Sequence, residues 1–489
     1  MNVKNFKTGM AINLVGTLVV TAQAIVLSPI YIRGVGKELY GAWVVLADIF
    51  VALQFFDFGI TSYSAQRIAS LRSVSSSGAK QAANFLASLM LVSISIGGMS
   101  LIMFVGYRYI PLPHELTIRE RQIMVDCAII GAAAVGIQLL GYCFVAVSRA
   151  FEDVFWVNIA SLLGVIVGFA VALLSVLNGM GIYSASWGML ARAVIATVGA
   201  MVAVKKNKVR FRLFPLDWNE IKPSFWDQLK RLPTTASGNF SVLAIASCEN
   251  ILVGSVLGFK SVAIYSISRK LFDFVRTSVD IYSYNAYGGM AAAIASSRDV
   301  ERRAYISRNV LAAAAVILFL CIGAYSINHH FVRLWVGEAM YFGFASNIIL
   351  ALGIFLGCLS NFLFGLQRAA GRFSLATKIS LVELIVKVVA SLLFLRFFGL
   401  SGMGLGITLA AGIAIALNMS LADIGYPMTP GRGRAAWFVA AIVFLSVASE
   451  FGDSIVLAIT LKLVVVGMCL VGLRYAYLML RASGSPARP

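Results

Sequence analysis

The sequence predicts an all-α, polytopic membrane protein of about fourteen transmembrane helices, arranged as two six-helix lobes followed by two C-terminal helices. Three observations carry this. Apolar runs of about 20 residues, each long enough to cross a hydrocarbon core of about 30 Å, recur along the whole chain. The 489 residues are 60% hydrophobic and only 12% charged, with a mean hydropathy of +0.88, which leaves no separate soluble domain. The short loops between runs alternate in their Lys and Arg content.

The first run, at approximately 9–32, continues into Arg33 and Gly34 without a small-residue cleavage pattern and is expected to be a retained first span. Further runs fall at about 42–60, 82–106, 122–147, 154–176, 184–204, 234–257, 261–284, 309–332, 343–366, 377–398, 402–421, 436–449 and 455–475. An even number of spans puts both termini on one side. The loops on that side hold 26 of the 40 basic residues, against eight on the other side and six within spans, so both termini are expected to be cytoplasmic. This topology accounts for the net charge of +19 without a nucleic-acid partner. Six cysteines (Cys127, Cys143, Cys248, Cys321, Cys358, Cys469) lie singly in or at the ends of apolar runs, where they suit packing rather than disulfides or metal.

Three short matches at nearly one offset suggest that the first twelve spans are two copies of a six-helix unit. Gly36 to Trp43 pairs with Gly258 to Tyr265, Ser148-Arg149-Ala150 with Gln367-Arg368-Ala369, and Gly181 to Ser184 with Gly402 to Leu405. An even-numbered repeat gives parallel copies, a pattern of transporters with a substrate site between the halves. The expected lobes are 1–204 and 234–425, with helices thirteen and fourteen and the tail at 426–489. Between the lobes, 205–233 is basic, broken by Pro215 and Pro223, and rich in Phe and Trp. It is expected at the inner membrane interface, though retention by the positive-inside rule explains it equally.

The eighth run carries Arg269, Asp273, Arg276 and Asp280, which at 100° per residue fall within about a 60° arc of one helix face. At 1.5 Å per residue Arg269 lies about 12 Å and Arg276 about 22 Å from the outer interface, straddling the midplane. Ionisable groups at that depth face a cavity or a partner. Arginine forks suit a pyrophosphate, and Lys270, about 100° off the stripe, can still reach a cavity. The competing reading is self-pairing: Arg269 with Asp273 and Arg276 with Asp280 are i, i+4 partners.

The segment Arg33 to Trp43, followed by Phe56-Asp57-Phe58-Gly59-Ile60, resembles the start of bacterial O-antigen-type polysaccharide flippases of the multidrug/oligosaccharidyl-lipid/polysaccharide exporter superfamily. Gly258 to Tyr265 resembles the matching turn of the second lobe, and Gln367 to Arg372 a cytoplasmic turn common in that family. The resemblance implies a fold like that of the multidrug and toxin extrusion (MATE) transporters and residence in the bacterial inner membrane. It also implies an undecaprenyl-pyrophosphate-linked glycan moved from the cytoplasmic to the periplasmic leaflet, with membrane lipid, a polymerase and chain-length machinery as partners. The chain departs from the family at the seventh helix, where an aspartate is expected and Glu249-Asn250 stands.

Other intramembrane polar residues are secondary candidates. Arg192 and Asp48 are expected to face the cavity, while Asp57 and Lys462 suit an interface. Glu383 and Lys387 are expected to form a structural i, i+4 pair. Asn13, Gln23 and Gln138 suit either sugar hydroxyls or interhelical bonds. Asp48, Glu249 and Asp273 are candidates for proton or sodium coupling, and Asp280 for charge pairing. His114, His329 and His330 lack a ligand pattern, so no metal is expected; no Walker sequence is present, and no enzyme or cofactor is expected. A drug exporter of the same fold and a membrane polymerase or ligase are the alternatives. The first would prefer an acidic cavity, and the second usually needs a longer outer loop than the roughly fifteen residues from Tyr107 to Arg121.

Overall fold

Backbone amides in hydrocarbon have no water to bond, so a spanning segment must satisfy them internally. Every regular element in the computed structural model is accordingly helical among the described residues, which are 3–71, 77–106, 116–151, 154–206, 218–296 and 299–421. Spans thirteen and fourteen, Lys462, Cys469, His114 and the first part of the linker lie outside them.

The chain divides into two compact units, Met1–Ser247 and Cys248–Pro489. The first contains α1 (Val3–Val35), α2 (Lys37–Leu53), α3 (Ile60–Ser70), α4 (Ser77–Gly106), α5 (Ile118–Ala150), α6 (Phe155–Leu177) and α7 (Tyr183–Lys206). Here α7 packs between α5 and α6, with α1 against α6 and α2, α3 and α4 against α5. Glycines set the closeness of α6 and α7: a Cβ at Gly168 would stand 2.7 Å from the Gly188 carbonyl oxygen.

Helix α8 (Trp218–Leu257) runs from the linker through the seventh span and across the boundary between the units. The expected break at Pro223 is absent. Pro223 and Pro233 both lie inside α8 and are exposed.

The second unit adds α9 (Phe259–Ser268), α10 (Lys270–Ser296), α11 (Asp299–Trp335), α12 (Phe344–Ala369), α13 (Phe373–Phe398) and α14 (Ser401–Leu421). Helix α14 packs on α12 and α13, and α10 and α11 pack on α12. Met290, Ile306, Phe362, Leu363 and Leu366 form a buried cluster where α10, α11 and α12 meet.

Two expected spans are not single helices. The second passes through a 3-10 turn, Gln54–Asp57, and then Phe58 (φ 47°) and Gly59 (φ 74°), both left-handed. The Asp57 carboxylate closes this turn by accepting from the Thr61 hydroxyl (2.9 Å) and backbone N–H (3.4 Å). The eighth divides at Arg269 into α9 and α10.

The paired turns of the sequence repeat share backbone conformation. Gly36 (φ 88°, ψ 167°) and Gly258 (φ 79°, ψ 171°) precede α2 and α9 in a region reserved for glycine. Conformation matches Gly181 (φ 54°) with Gly399 (φ 55°), three residues before the Gly402 paired from sequence, because Gly402 already lies inside α14.

Nine helical segments among the described residues are long and apolar enough to cross a membrane. The helices outside that set are α8, α9, α10 and α13. These four helices are the ones that build the site.

Candidate functional site

Glu249 lies on α8 in the second unit and is fully buried. Its Oε2 accepts from Tyr265 Oη (2.8 Å) on α9 and from Arg269 Nη1 (2.6 Å) at the α9/α10 joint. Its Oε1 accepts from Arg276 Nη2 (2.9 Å) on α10 and from Lys387 Nζ (2.7 Å) on α13. Two carboxylate oxygens offer about four lone-pair sites, so these four donors fill the group.

The folding reason is desolvation. An unpaired carboxylate or guanidinium at this depth costs several kcal/mol, and only convergence on a shared centre offsets it. A buried network next to the cluster holds the joint. Ser268 carbonyl accepts from Asn328 Nδ2 (2.8 Å), which also donates to Asn347 Oδ1 (2.8 Å). Ser268 Oγ donates to the Met340 carbonyl (2.9 Å) and accepts from Phe342 N–H (3.1 Å). Asn328 and Asn347 thus tie α11 and α12 to the joint from which Arg269 projects. Arg269 retains helical dihedrals (φ −83°, ψ −12°), so the sequence stripe keeps its register across the division.

The cluster is graded in exposure. Glu249, Lys387 and Arg269 are shut in, with side chains 0%, 3% and 9% exposed, whereas Arg276 (26%) and Asp273 (30%) open outward. Arg269 Nε stands 3.0 Å from Asp273 Oδ1, and its guanidinium lies 5.2 Å from the centre of the Tyr265 ring. Three cations gather here against the carboxylates of Glu249 and Asp273, with Asp280 and Glu383 one turn from Arg276 and Lys387.

The stripe is thus only partly self-paired. Arg269 meets Asp273 as expected, but Arg276 turns to Glu249, and Asp280 is exposed and accepts from Asn361 Nδ2 (2.6 Å) on α12. The expected pair of Glu383 and Lys387 is redirected as well: Lys387 bonds Glu249, and Glu383 accepts from Ser360 Oγ (2.8 Å). The lone buried carboxylate at the centre outcompetes a half-buried neighbour one turn away. Lys387, read from sequence as the partner of Glu383, and Tyr265 are the members that sequence reading did not assign to the site; for Lys387 the signal available was a lysine in mid-span, which at that depth requires a partner.

Lys270 is half-buried beside the cluster, with no ion pair among the described residues. Asp48, half-buried on α2, and Arg192, exposed on α7, belong to the first unit, so the cluster is complete without them. Gln138 donates to Tyr142 within α5 rather than between helices (2.8 Å), and Gln23 is half-buried on α1. The side chain of Asn13 is outside the described set.

No family model matches the sequence, and no curated protein does. Solved structures do. The lipid II flippase MurJ in an inward closed conformation is similar with a TM-score of 0.64 and 14% identity, covering 96% of this chain and 99% of that one. An inward-facing multidrug resistance MATE family transporter of the MOP superfamily gives 0.61 at 14% identity, covering 83% and 96%. A MOP superfamily transporter from Pyrococcus furiosus gives 0.55 at 14% identity, covering 86% and 94%. Identity this low carries the architecture and nothing finer: the chain is a multi-pass membrane protein with the fold of the MOP superfamily.

Proposed function

We propose that the chain is a flippase that carries a polyprenyl-pyrophosphate-linked oligosaccharide from the cytoplasmic to the periplasmic leaflet by alternating access, for cell-surface polysaccharide synthesis. The observation that carries this is the convergence of Arg269, Arg276 and Lys387 on the single carboxylate of Glu249, which gathers three cations inside a helical bundle. In this reading Glu249 is the internal counter-ion that holds the cations in place, and Arg276, the open member, offers its guanidinium to phosphate. Arg269 and Lys270 add to the attraction for the headgroup while the prenyl tail stays in lipid.

The similarity to a lipid II flippase supports a lipid-linked substrate. Pocket polarity also bears on the choice among proteins of this fold: in the Pyrococcus furiosus transporter a reverse polarity of the binding pocket is described as suggesting a different function. Three cations gathered on one buried carboxylate favour an anionic substrate over a cationic drug. An anion leaving a negative-inside cell gains about 2.3 kcal/mol per charge per 100 mV, roughly 5 kcal/mol for two charges. With both termini and the linker cytoplasmic, the two six-helix lobes at 1–204 and 234–425 would rock against each other, as parallel repeats do.

The test is transport of a lipid-linked oligosaccharide in proteoliposomes by an Arg269→Ala/Arg276→Ala double variant whose folding is checked by thermal melting. Loss of transport, with partial rescue by Arg276→Lys, supports the assignment. A folded double variant that moves the lipid at the normal rate overturns it.

A further inference from the structure

The N-terminal half of α8 is amphipathic in the reverse sense. Ser224, Asp227, Gln228 and Arg231 fall within about a 100° arc of the helix, and this polar face is the one turned toward protein. Tyr63 Oη on α3 donates to Asp227 Oδ2 (2.6 Å), and Arg231 stands 3.3 Å from Asp227 and 5.3 Å from the centre of the Tyr63 ring. Asn84 Nδ2 on α4 donates to Ser224 Oγ (3.2 Å), Ser88 Oγ to Gln228 Oε1 (3.1 Å), and Gln228 Nε2 to the Asn84 carbonyl (3.0 Å). Gln228 is only 2% exposed.

The opposite face holds Trp218, Lys222, Trp226 and Lys230, spaced i, i+4, i+8 and i+12 and centred about 180° from the polar face. Trp218 and Trp226 are 45% and 48% exposed, both lysines are exposed, and the Phe225 ring lies 5.9 Å from each indole. No carboxylate shares this face; Glu220 lies on the other side of the helix. Water is a poor environment for two indoles held outward by a hydrogen-bonded inner face. Alternating Trp and Lys fits the headgroup layer of a bilayer, where the ring sits among acyl carbons and the ammonium meets phosphate.

We propose that this outward face of α8 is a binding site for anionic glycerophospholipid headgroups of the cytoplasmic leaflet. Charge complementarity selects the occupant: Lys222 and Lys230 lie about one helical pitch either side of Trp226, so two phosphates flank one outward-facing ring. The hydrogen-bonded inner face keeps the site rigid. The proposal rests on the topology above for the side of the membrane, and its test reads lipid retention rather than transport, so its failure leaves the flippase assignment standing.

The experiment is native mass spectrometry of the purified full chain with phosphatidylglycerol or phosphatidylcholine added. The wild type is expected to retain phosphatidylglycerol preferentially. Lys222→Glu/Lys230→Glu is expected to lower that retention by roughly tenfold or more, at about fivefold per lysine, and to leave phosphatidylcholine unchanged. Trp218→Ala/Trp226→Ala lowers retention of both lipids. Helix content by circular dichroism is expected to be unaltered, because the four positions are exposed. Unchanged phosphatidylglycerol retention in the charge-reversed variant overturns the site. An equal loss on Lys260→Glu, an exposed lysine at the start of α9, also overturns it, since the preference is then one of bulk charge.

Discussion

Lys387 Nζ lies 2.7 Å from Glu249 Oε1 although 138 residues separate them in the chain. That bond ties α13 to α8, and with Arg269 and Arg276 it makes Glu249 the charge centre of the second unit. Removing the centre leaves three cations buried together, whereas removing one spoke leaves the carboxylate with two.

Glu249→Gln is therefore expected to destabilise the protein by about 3–5 kcal/mol, the cost of stranding buried charge, and Lys387→Met by clearly less. Thermal melting of both purified variants checks the order; an equal or reversed ranking contradicts the centre-and-spoke arrangement.

Arg276 is the most open cation of the cluster, so its loss is expected to affect transport more than folding. Arg276→Ala should reduce affinity for a lipid-linked pyrophosphate by roughly tenfold or more, from charge-assisted bonds of about 1.5–3 kcal/mol, with a small change in melting temperature. Concentration dependence of flipping in proteoliposomes separates the two effects.

A methyl group at Gly168 would meet the Gly188 carbonyl oxygen at 2.7 Å and the Arg192 Cβ at 2.8 Å. Gly168→Ala is expected to push α6 and α7 apart at a cost of about 1–3 kcal/mol. Gly97→Ala, where nothing lies within 4 Å, serves as the neutral control in the same melting assay.

Asp227, on the linker half of α8, is held below the ordinary carboxylate range by the Tyr63 hydroxyl and then by Arg231. A depressed folded value means that its stabilisation is complete above the unfolded value and is lost as pH falls through the folded one. The hydrogen-exchange protection factors of residues 218–232, corrected for the intrinsic pH dependence of amide exchange, are expected to be constant near neutrality and to fall below about pH 4. Asp227→Asn should abolish that pH dependence; a variant that keeps it places the titrating group elsewhere.

Much of this architecture was legible in the chain. Gly36 and Gly258 showed in sequence as two copies of one turn, and they adopt one glycine-only conformation because the entry into each second helix is the same steric problem. The Arg269 and Asp273 pair was legible too, since i, i+4 spacing is a local property of a helix. Local spacing misled where a non-local partner was stronger: Arg276 passes over Asp280, and Lys387 over Glu383, for the same buried carboxylate.

By itself the sequence determined that the chain is helical and membrane-embedded, and which residues carry charge at depth, because hydropathy and helical period are properties of consecutive residues. Tertiary packing alone decided which charges neutralise each other. Desolvation makes a buried carboxylate draw every cation within reach, and reach is set by how α8, α9, α10 and α13 pack rather than by their order along the chain.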